Sequence, residues 1–128
     1  MLFRKKSEAK PELHQKEREA IVDLLHLCLY ADSHIALKEG QFLSDVVDVI
    51  GWETQSSFSS YEQTSVSSAR FAKEDPEGKK KLLGSARARL ASKEARDLAV
   101  DLCQQLFAVD GTVEKEASLL AEIRAALR

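Results

Sequence analysis

The chain has 128 residues, with 19 Lys and Arg against 21 Asp and Glu, for a net charge of −2. That near-balance lacks the basic surplus that phosphate binding needs, so nucleic acid is not an expected partner. A hydrophobic fraction of 44% excludes a disordered chain, and no apolar run approaches the roughly eighteen residues of a membrane-spanning helix.

The opening MLFRKKSEAK is a basic stretch, and residues 1–10 are expected to form a flexible tail. Its three apolar residues could touch a membrane surface. No hydrophobic segment of signal-peptide length follows, so the expected location is the cytoplasm. From residue 11 to 128 one domain is expected, of a length that buries a core without disulfide or metal staples. Two prolines, five glycines and long 3.6-residue periodicities predict an all-α fold. Six helices are placed at roughly 11–31, 36–50, 57–73, 76–91, 93–109 and 114–127.

Pro11 and Pro76 each suit a first helical turn, and Asp75 suits the N-cap before Pro76. Ser59 and Glu62 have capping-box spacing, and Ser92 suits the cap of the fifth helix. The third helix is serine-rich, with a thin stripe of Phe58, Tyr61, Val66, Ala69 and Phe71, and reads as a polar cover on one side of a bundle. Lys79, Lys80 and Lys81, with Arg87 and Arg89, read as a solvated face. Cys28 and Cys103 sit in apolar stretches without CxxC or Cys/His spacing, so buried reduced thiols are expected and zinc has no support.

Laying Asp32 on Asp110 uncovers an internal helix-hairpin repeat. Before the first Asp stand Ile21, Leu24, Leu25, Cys28 and Leu29; before the second stand Ala99, Leu102, Cys103, Leu106 and Phe107. After Glu39 come Phe42, Leu43, Val46 and Ile50; after Glu116 come Leu119, Leu120, Ile123 and Leu127. At about 100° per residue, all four carboxylates continue the apolar stripes and point between helices. Asp23 and Asp101, also matched in the repeat, fall on the opposite side and are expected in solvent. Short connections alternate the helix directions, which brings both acidic turns to one end of the bundle.

The plain account of DSHI and DGTV is helix–helix turns, with Asp as a turn residue and Glu in a first helical turn. Against it, Ala36 and Val113 stand where a capping box needs Ser or Thr, and an Asp at a helix C-terminus meets the negative end of the dipole. Four carboxylates gathered in a partly buried end call for a cation, and all-oxygen ligands suit calcium, magnesium or manganese. An EF-hand does not fit, because both turns are too short.

The two elements YADSHIALKEGQFLSDVV and FAVDGTVEKEASLLAEI resemble the TerB-like family, small helical domains associated with bacterial tellurite resistance. The resemblance covers about residues 15–128. It implies a helical bundle binding a divalent metal through Asp32, Glu39, Asp110 and Glu116. It also implies a role in stress response beside a membrane-associated protein partner, or attachment to a J-domain cochaperone. Ser33 replaces the family's usual glycine and His34 follows it, and the second turn is one residue shorter, so Glu114 could stand in for Glu116.

The leading expectation is thus a non-enzymatic metal-binding domain with a protein partner. The alternative is a structural interaction module without metal, resting on the third helix and the Trp52 and Phe58 pair. An enzyme ranks last: the sequence has no glycine-rich phosphate loop, Gly-x-Ser-x-Gly elbow or His-Glu-x-x-His pattern, and His14, His26 and His34 read as surface or edge residues.

Overall fold

A computed structural model describes residues 13–31, 37–53, 57–109 and 114–128, with the side chains of 37, 38 and 114–116 also outside the description. Among the described residues the fold is all-α, with six helices: α1 (Gln15–Leu29), α2 (Leu37–Ile50), α3 (Phe58–Glu74), α4 (Pro76–Arg89), α5 (Lys93–Val109) and α6 (Glu114–Ala126).

Local chemistry sets the helix ends. The expected start of the first helix at residue 11 moves to Gln15. The backbone of His14 is extended, and its N–H donates to Glu17 Oε1 at 3.0 Å. Gly51, with φ +85°, closes α2 in the left-handed conformation that a Cβ disfavours. There Arg18 Nε donates to the Ile50 carbonyl at 3.0 Å, tying the start of α1 to the end of α2. The cap of α3 is Ser57, not Ser59: its side chain accepts from the Ser60 N–H, because the chain is still extended at Ser57. Asp75 ends α3 and caps α4 by accepting from the Gly78 N–H at 3.2 Å, with Pro76 in the first turn where a missing N–H is harmless. Ser92 caps α5, accepting from the Ala95 N–H at 3.0 Å. Arg96 Nη1 donates to the Leu90 carbonyl at 2.8 Å and so braces the turn between α4 and α5.

Helix α1 lies at the centre, packed against α2, α3, α4 and α5. Every apolar position named in the two sequence elements, from Ile21 to Ile50 and from Ala99 to Leu127, is buried in one continuous core. Cys28 and Cys103 are buried inside it and are not bridged.

Helix directions follow from side-chain pairs. Arg18 meets Ile50, so α2 returns along α1. Tyr61 meets Asp23 while Ala72 lies beside Leu27 and Ala31, so α3 runs with α1. Lys79 pairs with Glu122 and Arg87 with the Arg128 carbonyl, so α6 runs with α4. Arg124 bonds Gln104 while Leu127 lies beside Lys93, so α5 runs against α6. With α4 returning along α3 to bring Arg89 beside Tyr61, α1, α3 and α5 share one direction and the other three run opposite. The C-terminal ends of α1 and α5 therefore face the same end of the bundle.

Candidate functional site

Of the four carboxylates expected to hold a metal, Asp32 and Asp110 lie outside the described residues. Glu116 lies in the first turn of α6, with its side chain outside the description, as is that of Glu114. Glu39 is described: it sits in the first turn of α2 and is 5% exposed, on the side from which Phe42, Leu43 and Val46 enter the core. Among the described residues no group of three or more His, Cys, Asp or Glu side chains is placed to share a metal ion.

The polar centre that the structure does describe lies where α1, α3 and α4 meet, and it overturns the expectation that Asp23 faces solvent. Asp23 is 8% exposed. Its carboxylate accepts from Ser65 Oγ at 2.6 Å, from Tyr61 Oη at 2.9 Å and from Arg89 Nη2 at 2.6 Å. Arg89 Nη1 also donates to Tyr61 Oη at 3.2 Å, so a buried triangle of Asp23, Tyr61 and Arg89 spans three helices. Arg89 is thus no part of a solvated face, because its guanidinium turns in to neutralise Asp23. Burial works against its charge, but the hydrogen bond and attraction to Asp23 outweigh that and raise its pKa. Burial, with the Asp23 charge beside it, pushes the Tyr61 phenol above its ordinary value and keeps it a donor.

His26 is likewise no surface or edge residue. It is 1% exposed, with Nδ1 2.7 Å from Ser65 Oγ and Nε2 3.7 Å from Glu62 Oε2, beyond hydrogen-bond reach. The direction of each bond can be assigned. Asp23 offers only lone pairs, so the Ser65 hydroxyl proton goes to Asp23 and its oxygen accepts from His26 Nδ1–H. Burial lowers the His26 pKa, against the opposing pull of Glu62 and Asp23, so the ring is neutral near pH 7 with its Nε2 lone pair facing Glu62.

This order is not that of a hydrolytic triad. There the imidazole takes the serine proton, whereas Ser65 gives its proton to a carboxylate and is 2% exposed. The arrangement can orient and lock helices, since each buried polar group except His26 Nε2 finds a partner here.

Comparison with protein-family profiles, with curated proteins and with solved structures finds no match for this chain.

A sequence signal for this centre exists. Between Ala20 and Leu29 every residue except Asp23 and His26 is apolar, and Val22 and Leu27 lie outside the stripe drawn for α1. A helix apolar on all sides is enclosed on all sides. Its two polar members, three residues apart, share a face and must meet partners there. Tyr61 and Ser65, four apart on α3, are those partners.

Beside the same centre, at the start of α3, Trp52 is half-buried, edge-on to Phe58 with ring centroids 5.0 Å apart and tilted against Tyr61 at 5.5 Å. Its ring closes the core beside Tyr61 more than it offers a surface.

Proposed function

We propose that this chain is a non-enzymatic binding domain of the TerB-like kind, which holds a hard divalent ion at its acidic end and acts with a protein partner. The observation that carries the reading is the burial of Glu39, 5% exposed in the first turn of α2. A carboxylate at a helix N-terminus gains from the dipole, and its oxygens are the donor type that a hard divalent cation takes. Asp32 and Asp110 follow α1 and α5 in the sequence and Glu116 is in the first turn of α6, and calcium, magnesium or manganese suits such an all-oxygen donor set. The resemblance adds tellurite or other stress resistance as the setting.

The test is thermal melting with each ion and without. An ion at about 100 times its dissociation constant adds roughly 2.7 kcal/mol, which raises Tm by on the order of 10 °C at this length. The gain should vanish in the Asp32→Asn, Asp110→Asn variant. Equal melting with all three ions and with none sinks the metal reading. A second reading, an interaction module without metal, is favoured by Phe71, which is 61% exposed. Under it the two Asp→Asn changes leave partner binding intact.

A further inference from the structure

A groove of about 520 Å³ runs between α5 and α6, a volume in the range of small-ligand sites. It begins at Lys93 in the first turn of α5, away from the end of the bundle where α1 and α5 finish. Its floor is half-buried Val100 and buried Leu127, and the aliphatic stems of the long side chains around them extend that apolar surface.

The charge on its walls is one-sided. Four basic and two acidic side chains line the groove, a formal net of +2. Lys93 and Asp97 neutralise each other at 2.7 Å, and Asp101 accepts from Gln105. Arg96, Arg124 and Arg128 keep their charge, because none has a carboxylate within 4.0 Å among the described residues. Arg96 donates to the Leu90 carbonyl at 2.8 Å and Arg124 to Gln104 Oε1 at 3.0 Å, both neutral acceptors. A guanidinium carries five N–H groups, so these bonds leave most of them for a ligand. Arg87 adds a further cation at the rim, reaching from α4 to donate to the Arg128 carbonyl at 3.1 Å.

We propose that this groove binds a phosphate monoester with an apolar body. The ester carries a charge of about −2 at pH 7, which matches the net charge of the lining. Guanidiniums suit its oxygens because their planar forks give paired N–H bonds to phosphate. Asp101 on the α5 wall repels the phosphate, which therefore sits against Arg124 and Arg128, with the apolar body on Val100 and Leu127. The proposal goes beyond the function proposed above and rests on neither its metal nor its protein partner.

The probe is naphthyl phosphate, titrated into the full chain and followed by its own fluorescence. Binding should weaken as salt rises, and roughly tenfold or more in the Arg124→Gln, Arg128→Gln variant, which removes two charge-assisted donors. The Arg70→Gln, Lys80→Gln variant removes the same charge from exposed positions outside the groove and should bind as the parent does. In amide NMR spectra of the parent, shifts on adding the probe should centre on Val100, Gln104 and Leu127, which locates the site without any substitution. Equal losses in the two variants, or shifts centred on another pair of helices, overturn the proposal. Naphthol binding as tightly as naphthyl phosphate would mean that the charges play no part, and inorganic phosphate doing so would mean that the apolar floor plays none. Naphthoate binding as tightly would overturn the assignment to a phosphate monoester.

Discussion

Asp23 and Asp101 hold matching places nine residues before Asp32 and Asp110, yet the fold treats them oppositely. Asp23 is enclosed and receives three donors from two other helices. Asp101 is half-buried beside the α5–α6 groove and accepts from Gln105, one turn along its own helix, at 2.8 Å. The difference lies in what covers each helix. Helices α3 and α4 both pack on α1, whereas among the described residues α5 packs against α1, α2 and α6 and not closely against α3 or α4. Equal positions in similar amphipathic helices thus acquire unequal roles from the helices that cover them.

The sharpest way to break that comparison is to remove both carboxylates in turn. Asp23→Ala strands Arg89, Ser65 and Tyr61 around a buried vacancy, at a cost of about 3 kcal/mol and on the order of 10 °C in Tm. Asp101→Ala should stay within about 0.5 kcal/mol, because one intrahelical bond is lost at a partly wet site. Equal losses in urea melts would mean that Asp23 is as solvated as its counterpart.

Tyr61→Phe trims the same centre more gently. It deletes the phenol proton held by Asp23 and leaves the ring against Trp52, so about 1.5 kcal/mol is expected. In an Asp23→Asn background the loss should shrink, since the acceptor is no longer charged. A double-mutant cycle measures that coupling.

How much of this was legible beforehand depended on whether an interaction was local. Asp75 with Pro76, and Ser92, could be read because a cap and its amide lie within one turn. The apolar stripes of α1 and α5 could be read because 3.6-residue spacing places side chains on one face. The stripe calculation puts Asp23 in solvent because it assumes one buried side per helix, the basic run makes Arg89 part of a solvated face, and His26, flanking the stripe, reads as a surface or edge residue. Their partners lie 28 to 66 residues away in sequence, in pairs from Arg89 with Tyr61 to Arg89 with Asp23. Ser59 competed with Ser57 for one cap, and spacing alone could not tell which residue stays extended. Of the four carboxylates, the burial of Glu39 follows from the stripe, since that argument needs only its own helix.

A pH dependence tests the side of α1 that α3 covers without removing any side chain from it. His26 is faced by Asp23 and Tyr30 on its own helix, by Glu62, Tyr61 and Ser65 on α3, and by Arg89 of α4 through Asp23. Its folded pKa lies below the ordinary value of 6.5, with burial the largest cause. The unfolded chain therefore takes up the proton more readily. The stabilisation is complete above pH 6.5 and drains away as pH falls below it. Between pH 6.5 and 5.5 one such group can account for at most about 1 kcal/mol. Urea midpoints at the two pH values should differ in that direction. His26→Asn, which can still donate to Ser65 but does not titrate, should flatten the difference. A midpoint that rises on acidification would mean that Glu62 swings in to pair with the imidazolium, and that α3 holds a charged histidine where burial favours a neutral one.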